Sequence, residues 1–139
     1  MIILDTNVVS EPLRSSPEPA VSRWLDAQHP DTLYLTALTV AELRAGVAAL
    51  PDGRRRELLS HRIETDVLAF FDGRILPFDE QAAAAWASLQ GEARSRGRGL
   101  PVLDSLIAAV ARAHGFALAT RNVKDFVGTG VELLNPWEH

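Results

Sequence analysis

Three carboxylates stand where short apolar segments end or helical patterns begin. Asp5 follows Ile2-Ile3-Leu4, Glu42 comes a few residues after Leu33-Tyr34-Leu35-Thr36, and Asp104 lies in the first turn expected of a helix ending at His114. A further oxygen-rich group, Thr120, Asn122 and Asp125, follows the apolar run Phe116-Ala117-Leu118-Ala119. Each has an ordinary explanation on its own: Asp5 as a helix cap, Glu42 as a partly exposed surface acid, Asp104 as a charge stabilised by a helix N-terminus. Carboxylates that converge without lysine or arginine beside them repel one another, and then either protonate or recruit a cation. Oxygen ligands in a chain without cysteine select Mg²⁺ or Mn²⁺ over zinc. The four histidines, His29, His61, His114 and His139, fall in a turn, mid-helix, at a helix end and at the terminus, away from such a cluster. A hydrated ion of this kind can aim an ionised water at phosphorus, which makes phosphodiester hydrolysis the natural chemistry.

The elements that would position these groups follow from apolar spacing and breakers. Ile2–Leu4 is a strand, and Thr6 or Asn7 caps a short helix through Leu13. Ser15 to Pro19 is a turn, and Val21, Trp24 and Leu25 repeat at helical spacing toward Ala27. Leu33–Thr36 is a second strand. Thr39, or Thr36, caps the next helix, with Val40, Leu43, Val47 and Leu50 as its apolar stripe. Pro51-Asp52-Gly53 opens a longer helix to about Phe71, with Leu58, Leu59, Ile63, Val67, Leu68 and Phe71 on its buried side. Arg74–Pro77 is a brief strand, and Asp79 precedes an alanine-rich helix with Trp86 and Leu89. Pro101 occupies the first turn of a helix closed by Gly115. Phe116–Thr120 is a strand, Arg121–Asp125 a polar loop, and Val131–Leu134 an edge strand.

Four or five short apolar strands alternating with helices indicate a three-layer α/β/α domain with a mainly parallel sheet. In such sheets ligands collect beyond the carboxyl ends of the strands, where the coarse fold puts all the acids above. No GxGxxG follows the first strand and no GxxxxGK occurs anywhere, so the two common nucleotide-binding fingerprints are missing.

Composition bounds these readings. A chain of 139 residues has the length of one domain, read here as 1–139, and 47% hydrophobic residues suffice for a core without staples. The absence of cysteine excludes disulfides, thiolate metal sites and thiol catalysis. The net charge of −4 argues against a protein that coats nucleic acid, but not against a nuclease with a local basic surface. Its acid excess is uneven: residues 1–72 carry −4 and residues 73–139 carry zero. The N-terminus reads as neither secretory leader nor membrane span, so the cytoplasm and no membrane partner are expected.

Residues Ile2 to Asn7, Thr39-Val40-Ala41-Glu42-Leu43, Asp104 to Ala109 and Leu118 to Phe126, in that order, resemble the PIN-domain family, and more narrowly the VapC/FitB-type toxins. Leu133-Leu134-Asn135-Pro136-Trp137 is similar to the FitB-type ending. The resemblance implies a PIN-like fold and a Mg²⁺- or Mn²⁺-dependent endoribonuclease, the toxin of a type II toxin–antitoxin pair. It implies that Asp5, Glu42 and Asp104 hold the ion, with Thr120, Asn122 and Asp125 at the fourth acidic position and Thr6 and Asn7 in support. Asn122 stands where many relatives carry aspartate, which leaves a second metal ion in doubt. The implied partners are RNA, a small cognate antitoxin and a second copy of the chain, with operator DNA reached only through the antitoxin complex.

Arg94, Arg96 and Arg98 are the best candidates for contact with an RNA backbone, and Arg121 lies beside the acids in sequence. Two other readings remain. A metal-dependent phosphohydrolase also begins its site with an aspartate after strand one, but it lacks here a second acid two residues on. A catalytically silent PIN-like binding module has Asn122 in its favour.

Overall fold

β1 (Ile2–Leu4) occupies the centre of a five-stranded, all-parallel sheet in this computed structural model, which describes residues 1–138; His139 lies outside the described residues. The strand order is β3-β2-β1-β4-β5, with β2 at Leu33–Thr36, β3 at Ile75–Leu76, β4 at Ala117–Ala119 and β5 at Leu133–Leu134. Ile2 pairs with Leu33 on one side and Ala117 on the other, and Leu4 pairs with Ala119. The strands are continuous apolar runs because a parallel sheet covered by helices is buried on both faces.

Alternation along each strand divides the interior in two. Leu4, Leu33, Leu35 and Ala119 belong to one core, with Val8 and Val9 from α1 (Thr6–Ser10), Trp24 from α2 (Pro19–Asp26) and Val40 and Leu43 from α3 (Ala37–Ala48). Ile3 and Leu118 face the other core, against α6 (Glu80–Arg96) and α7 (Val102–His114). This is the three-layer arrangement the strand and helix pattern predicts. Within α7, the run Ile107 to Ala111 is wholly buried. Its three alanines let a helix lie against both α6 and the sheet.

Local details depart from the sequence reading in physically simple ways. Asp5, not Thr6 or Asn7, caps α1, its side chain accepting from the Thr6 N–H. The expected helix to Leu13 gives way after Ser10 to a 3₁₀ turn, Glu11–Leu13, because Pro12 has no N–H to donate and crowds the preceding turn. Thr36 is the cap of α3, taking the Thr39 N–H at 3.2 Å. Pro101 stands at the cap position of α7 rather than inside its first turn.

The helix opened by Gly53 is also not uniform. α4 (Arg54–His61) passes into a π-helical segment, Arg62–Val67, and then α5 (Leu68–Phe70). The wider turn shifts the phase of the buried stripe, so Ile63 and Phe71 are buried while Leu58, expected inside, is 54% exposed. Trp24 is 4% exposed and belongs to the core of this chain.

Candidate active site

The chain builds outward from β1 to β3 on one side, then returns to β4 and β5 on the other. The resulting switch point lies between β1 and β4, and a crevice opens at their carboxyl ends. Asp5 leaves β1 and Thr120 leaves β4 at this point, held side by side as the Asp5 N–H donates to Ala119 O at 2.9 Å. Asp5 is 4% exposed. Its Oδ1 accepts from the Thr6 N–H at 2.8 Å, and its Oδ2 accepts from the Thr120 hydroxyl at 2.8 Å and Asn7 Nδ2 at 3.4 Å. Burial raises the Asp5 pKa, against the pull of these three hydrogen bonds. Helix cap and candidate ligand are therefore two aspects of one carboxylate.

Glu42, half-buried on the first turns of α3, reaches the same crevice through Thr6, whose hydroxyl donates to Glu42 Oε1. The Thr6 oxygen also lies 3.1 Å from the hydroxyl of Thr39, which is fully buried. Thr39 is a supporting residue that the sequence reading weighs only as a cap. Its signal was its position three residues before Glu42 on the same helix, where side chains share a face.

Asp104 is half-buried in the first turn of α7, and its carboxyl is pushed up to about 6. Burial is the main cause, followed by the charges of Asp5, Asp125 and Glu42. The four acids thus share one electrostatic neighbourhood although they come from four separate stretches of sequence. Next to Asp104, Ser105 accepts from Trp86 Nε1 at 3.0 Å and donates to Val102 O at 2.5 Å, tying α6 to the start of α7.

The loop after β4 closes the rim. The Asn122 N–H donates to Thr120 Oγ1 at 3.0 Å, and Asn122 O accepts from the Asp125 N–H at 3.0 Å. Both side chains are exposed, Asp125 on the 3₁₀ turn Val123–Phe126. Arg121 is exposed too; its N–H donates to Asn7 Oδ1 at 3.3 Å and its guanidinium lies 5.1 Å from the Trp137 ring centroid.

Of the other arginines, Arg96 donates to Gly128 O at 2.8 Å, fastening the end of α6 to the rim loop. Arg96 and Arg98 line a small cavity of about 90 Å³ together with Lys124 and Asp125. Lys124 thus adds a cation there. Arg94 faces a separate groove with Trp86 and Gln90. A larger groove of about 730 Å³ between α3 and the π-helical segment contains the Arg44–Glu64 ion pair but none of the four acids.

Among the described residues, no three acidic or histidine side chains form a ready-made metal cage. Nor does any of Asp5, Glu42, Asp104 or Asp125 form an ion pair with a lysine or arginine among those residues. An all-oxygen donor set with uncompensated charge fits a hard divalent cation that keeps several of its waters.

Comparison with known proteins agrees with this geometry. The PIN domain pattern matches residues 2–128. The chain is 49% identical over 138 residues to VapC ribonuclease Y4jK of Sinorhizobium fredii and 46% identical over 137 residues to toxin FitB of Neisseria gonorrhoeae, covering 99% of both chains in each case. It superposes with a TM-score of 0.95 and 45% identity on a structure of FitAB bound to the IR36 DNA fragment, covering 99% of this chain and 96% of that one. The chain belongs to the PIN-domain family. Its place within the family is among the VapC/FitB-type toxins of toxin–antitoxin systems.

Proposed function

We propose that the chain is a Mg²⁺- or Mn²⁺-dependent endoribonuclease, built as one domain and acting as the toxin of a type II toxin–antitoxin pair. The observation that carries this reading is the crevice between β1 and β4, where Asp5, Glu42, Asp104 and Asp125 gather without an ion pair to lysine or arginine among the described residues, and where burial and the other three charges raise the Asp104 pKa. Asp5, Glu42 and Asp104 would hold the ion. When bound, it supplies Lewis acidity toward the phosphate and lowers the pKa of water.

The chain's own groups do the rest. Thr120 and Asn7 orient Asp5, while Thr6 and Thr39 hold Glu42. Asn122 and Asp125 shape the rim, with Asn122 contributing no charge. Water attacks phosphorus, the bond from phosphorus to the 3′ oxygen breaks, and that oxygen takes a proton. The products are a 5′-phosphate and a 3′-hydroxyl. Arg94, Arg98 and Arg121, joined by Lys124, are the groups available to the RNA backbone, whereas Arg96, named with them from the sequence, is held by Gly128 O.

The partners follow from the relatives. One is a toxin and another structure is a FitAB assembly on DNA, which supports a small antitoxin partner and operator DNA contacted through that complex. A homodimer and a cytoplasmic location belong to the same proposal. Among the described residues no helix is long and apolar enough to cross a membrane.

The test is incubation of a pool of structured RNAs with Mg²⁺, Mn²⁺ or EDTA, comparing wild type with Asp5→Asn and Asp104→Asn. Cleavage is expected only with metal and only in the wild type. Undiminished cleavage by Asp5→Asn would sink the site assignment. Hydrolysis of small phosphate esters without RNA cleavage points instead to a phosphohydrolase, and no activity under any condition to a binding module.

A further inference from the structure

We propose that Trp137 is a positioning residue that orients the Arg121 side chain, on the loop that follows Thr120, to receive a backbone phosphate of the substrate. This inference rests on the ribonuclease reading above and adds to it a reason for the C-terminal tryptophan.

Arg121 is anchored to the site at its backbone. It directly follows Thr120, whose hydroxyl donates to Asp5, and its own N–H is held by Asn7, whose amide nitrogen also approaches Asp5 Oδ2. From that fixed origin the guanidinium lies over Trp137, 5.1 Å from the ring centroid and inside the range of a cation–π contact. Trp137 is a firm platform. It sits on the 3₁₀ turn Pro136–Glu138, its N–H donates to Asn135 Oδ1 at 3.0 Å, and it packs against the core that includes Trp24.

The result is an arginine oriented by a ring. Among the described residues its side-chain donors make no hydrogen bond within the chain. A guanidinium carries five N–H donors in a planar fork suited to phosphate oxygens. Carried on the loop that directly follows Thr120, it offers a positive charge to a polyanion approaching the crevice. The acids themselves do not pair with it, so it remains available to substrate.

The experiment measures steady-state cleavage of a defined oligoribonucleotide with Mg²⁺. The variants are Arg121→Ala, Trp137→Leu (which keeps apolar volume against the core), Trp137→Phe and the double variant Arg121→Ala/Trp137→Leu. Circular dichroism reports their folding. Trp137→Leu is expected to raise KM about three- to ten-fold with kcat changed less than about two-fold, as loss of one oriented cation would do. Trp137→Phe should restore most of the affinity, and the double variant should be no worse than Arg121→Ala alone. Wild-type KM in Trp137→Leu, or additive effects in the double variant, would overturn the inference while leaving the ribonuclease reading standing. A wild-type protein that neither binds nor cleaves RNA would overturn both.

Discussion

The hydroxyl of Thr120 donates to Asp5 Oδ2 at 2.8 Å, joining two residues 115 positions apart at the carboxyl ends of neighbouring parallel strands. Both are buried, so this bond helps keep an otherwise uncompensated charge inside the protein. Thr120→Val keeps the shape and removes the donor. It should lower stability by about 1–2 kcal/mol near neutral pH, where Asp5 is left short of a partner. Thermal melts at pH 7 check this, and RNA cleavage should fall in parallel as Asp5 loses its orientation.

Asp104 makes the protein's stability depend on pH in a defined direction. Its folded pKa of about 6 lies above the ordinary 3.8, so between these values the folded state binds more protons than the unfolded chain. This group's contribution is most favourable below pH 3.8 and is lost as pH rises through 6. Asp104→Asn, which cannot ionise, should therefore raise the melting temperature of the metal-free protein at pH 7.5, and the gain should vanish near pH 4. Melts of both proteins across that range provide the check.

Magnesium should act oppositely to protons at the same group. A divalent cation favours ionised carboxylates, so its stabilising effect should grow as pH rises through 6 and be small at pH 5. In Asp104→Asn the metal-induced rise in melting temperature should be strongly reduced at every pH. An equal rise in both proteins would place the ion elsewhere.

Ser105 carries a prediction about support rather than chemistry. Ser105→Ala leaves Trp86 Nε1 without its partner and frees the first turn of α7 from α6. A loss of about 1–2 kcal/mol is expected, together with altered tryptophan fluorescence. Cleavage should fall further than stability alone accounts for, because the adjacent Asp104 loses its anchor.

Gly128 has φ +88°, and a Cβ there would lie 3.3 Å from the Arg96 guanidinium. The side-chain tip can move, whereas the backbone conformation cannot be relieved as easily. Gly128→Ala should cost about 1 kcal/mol or more from the positive φ alone. Arg96→Ala, which removes only an exposed hydrogen bond, should cost less in the same denaturation experiment.

Much of this protein is settled by local order along the chain. Apolar runs of two to four residues cannot be left in water and cannot be half-covered, so they make a parallel sheet between helical layers. Asp79, Gly97 and Gly115 mark helix ends because capping and left-handed backbone geometry are local properties. The candidate acids were legible for the same reason: each follows a strand or starts a helix, and strand ends in such a sheet point to one rim. Local order also misleads where a neighbour alters phase. The π-helical segment turns Leu58 outward, and Pro12 tightens the end of α1.

Only the tertiary structure decides which groups meet. Thr6 meets Glu42 from another element, Arg121 rests on Trp137, and Arg96 is already committed to Gly128. No spacing in the sequence encodes these pairs, because they depend on strand order and on how loops from opposite ends of the chain fold over the same rim. The raised Asp104 pKa belongs to that level as well. Its causes are burial and the charges of Asp5, Asp125 and Glu42, and both exist only when the chain has folded.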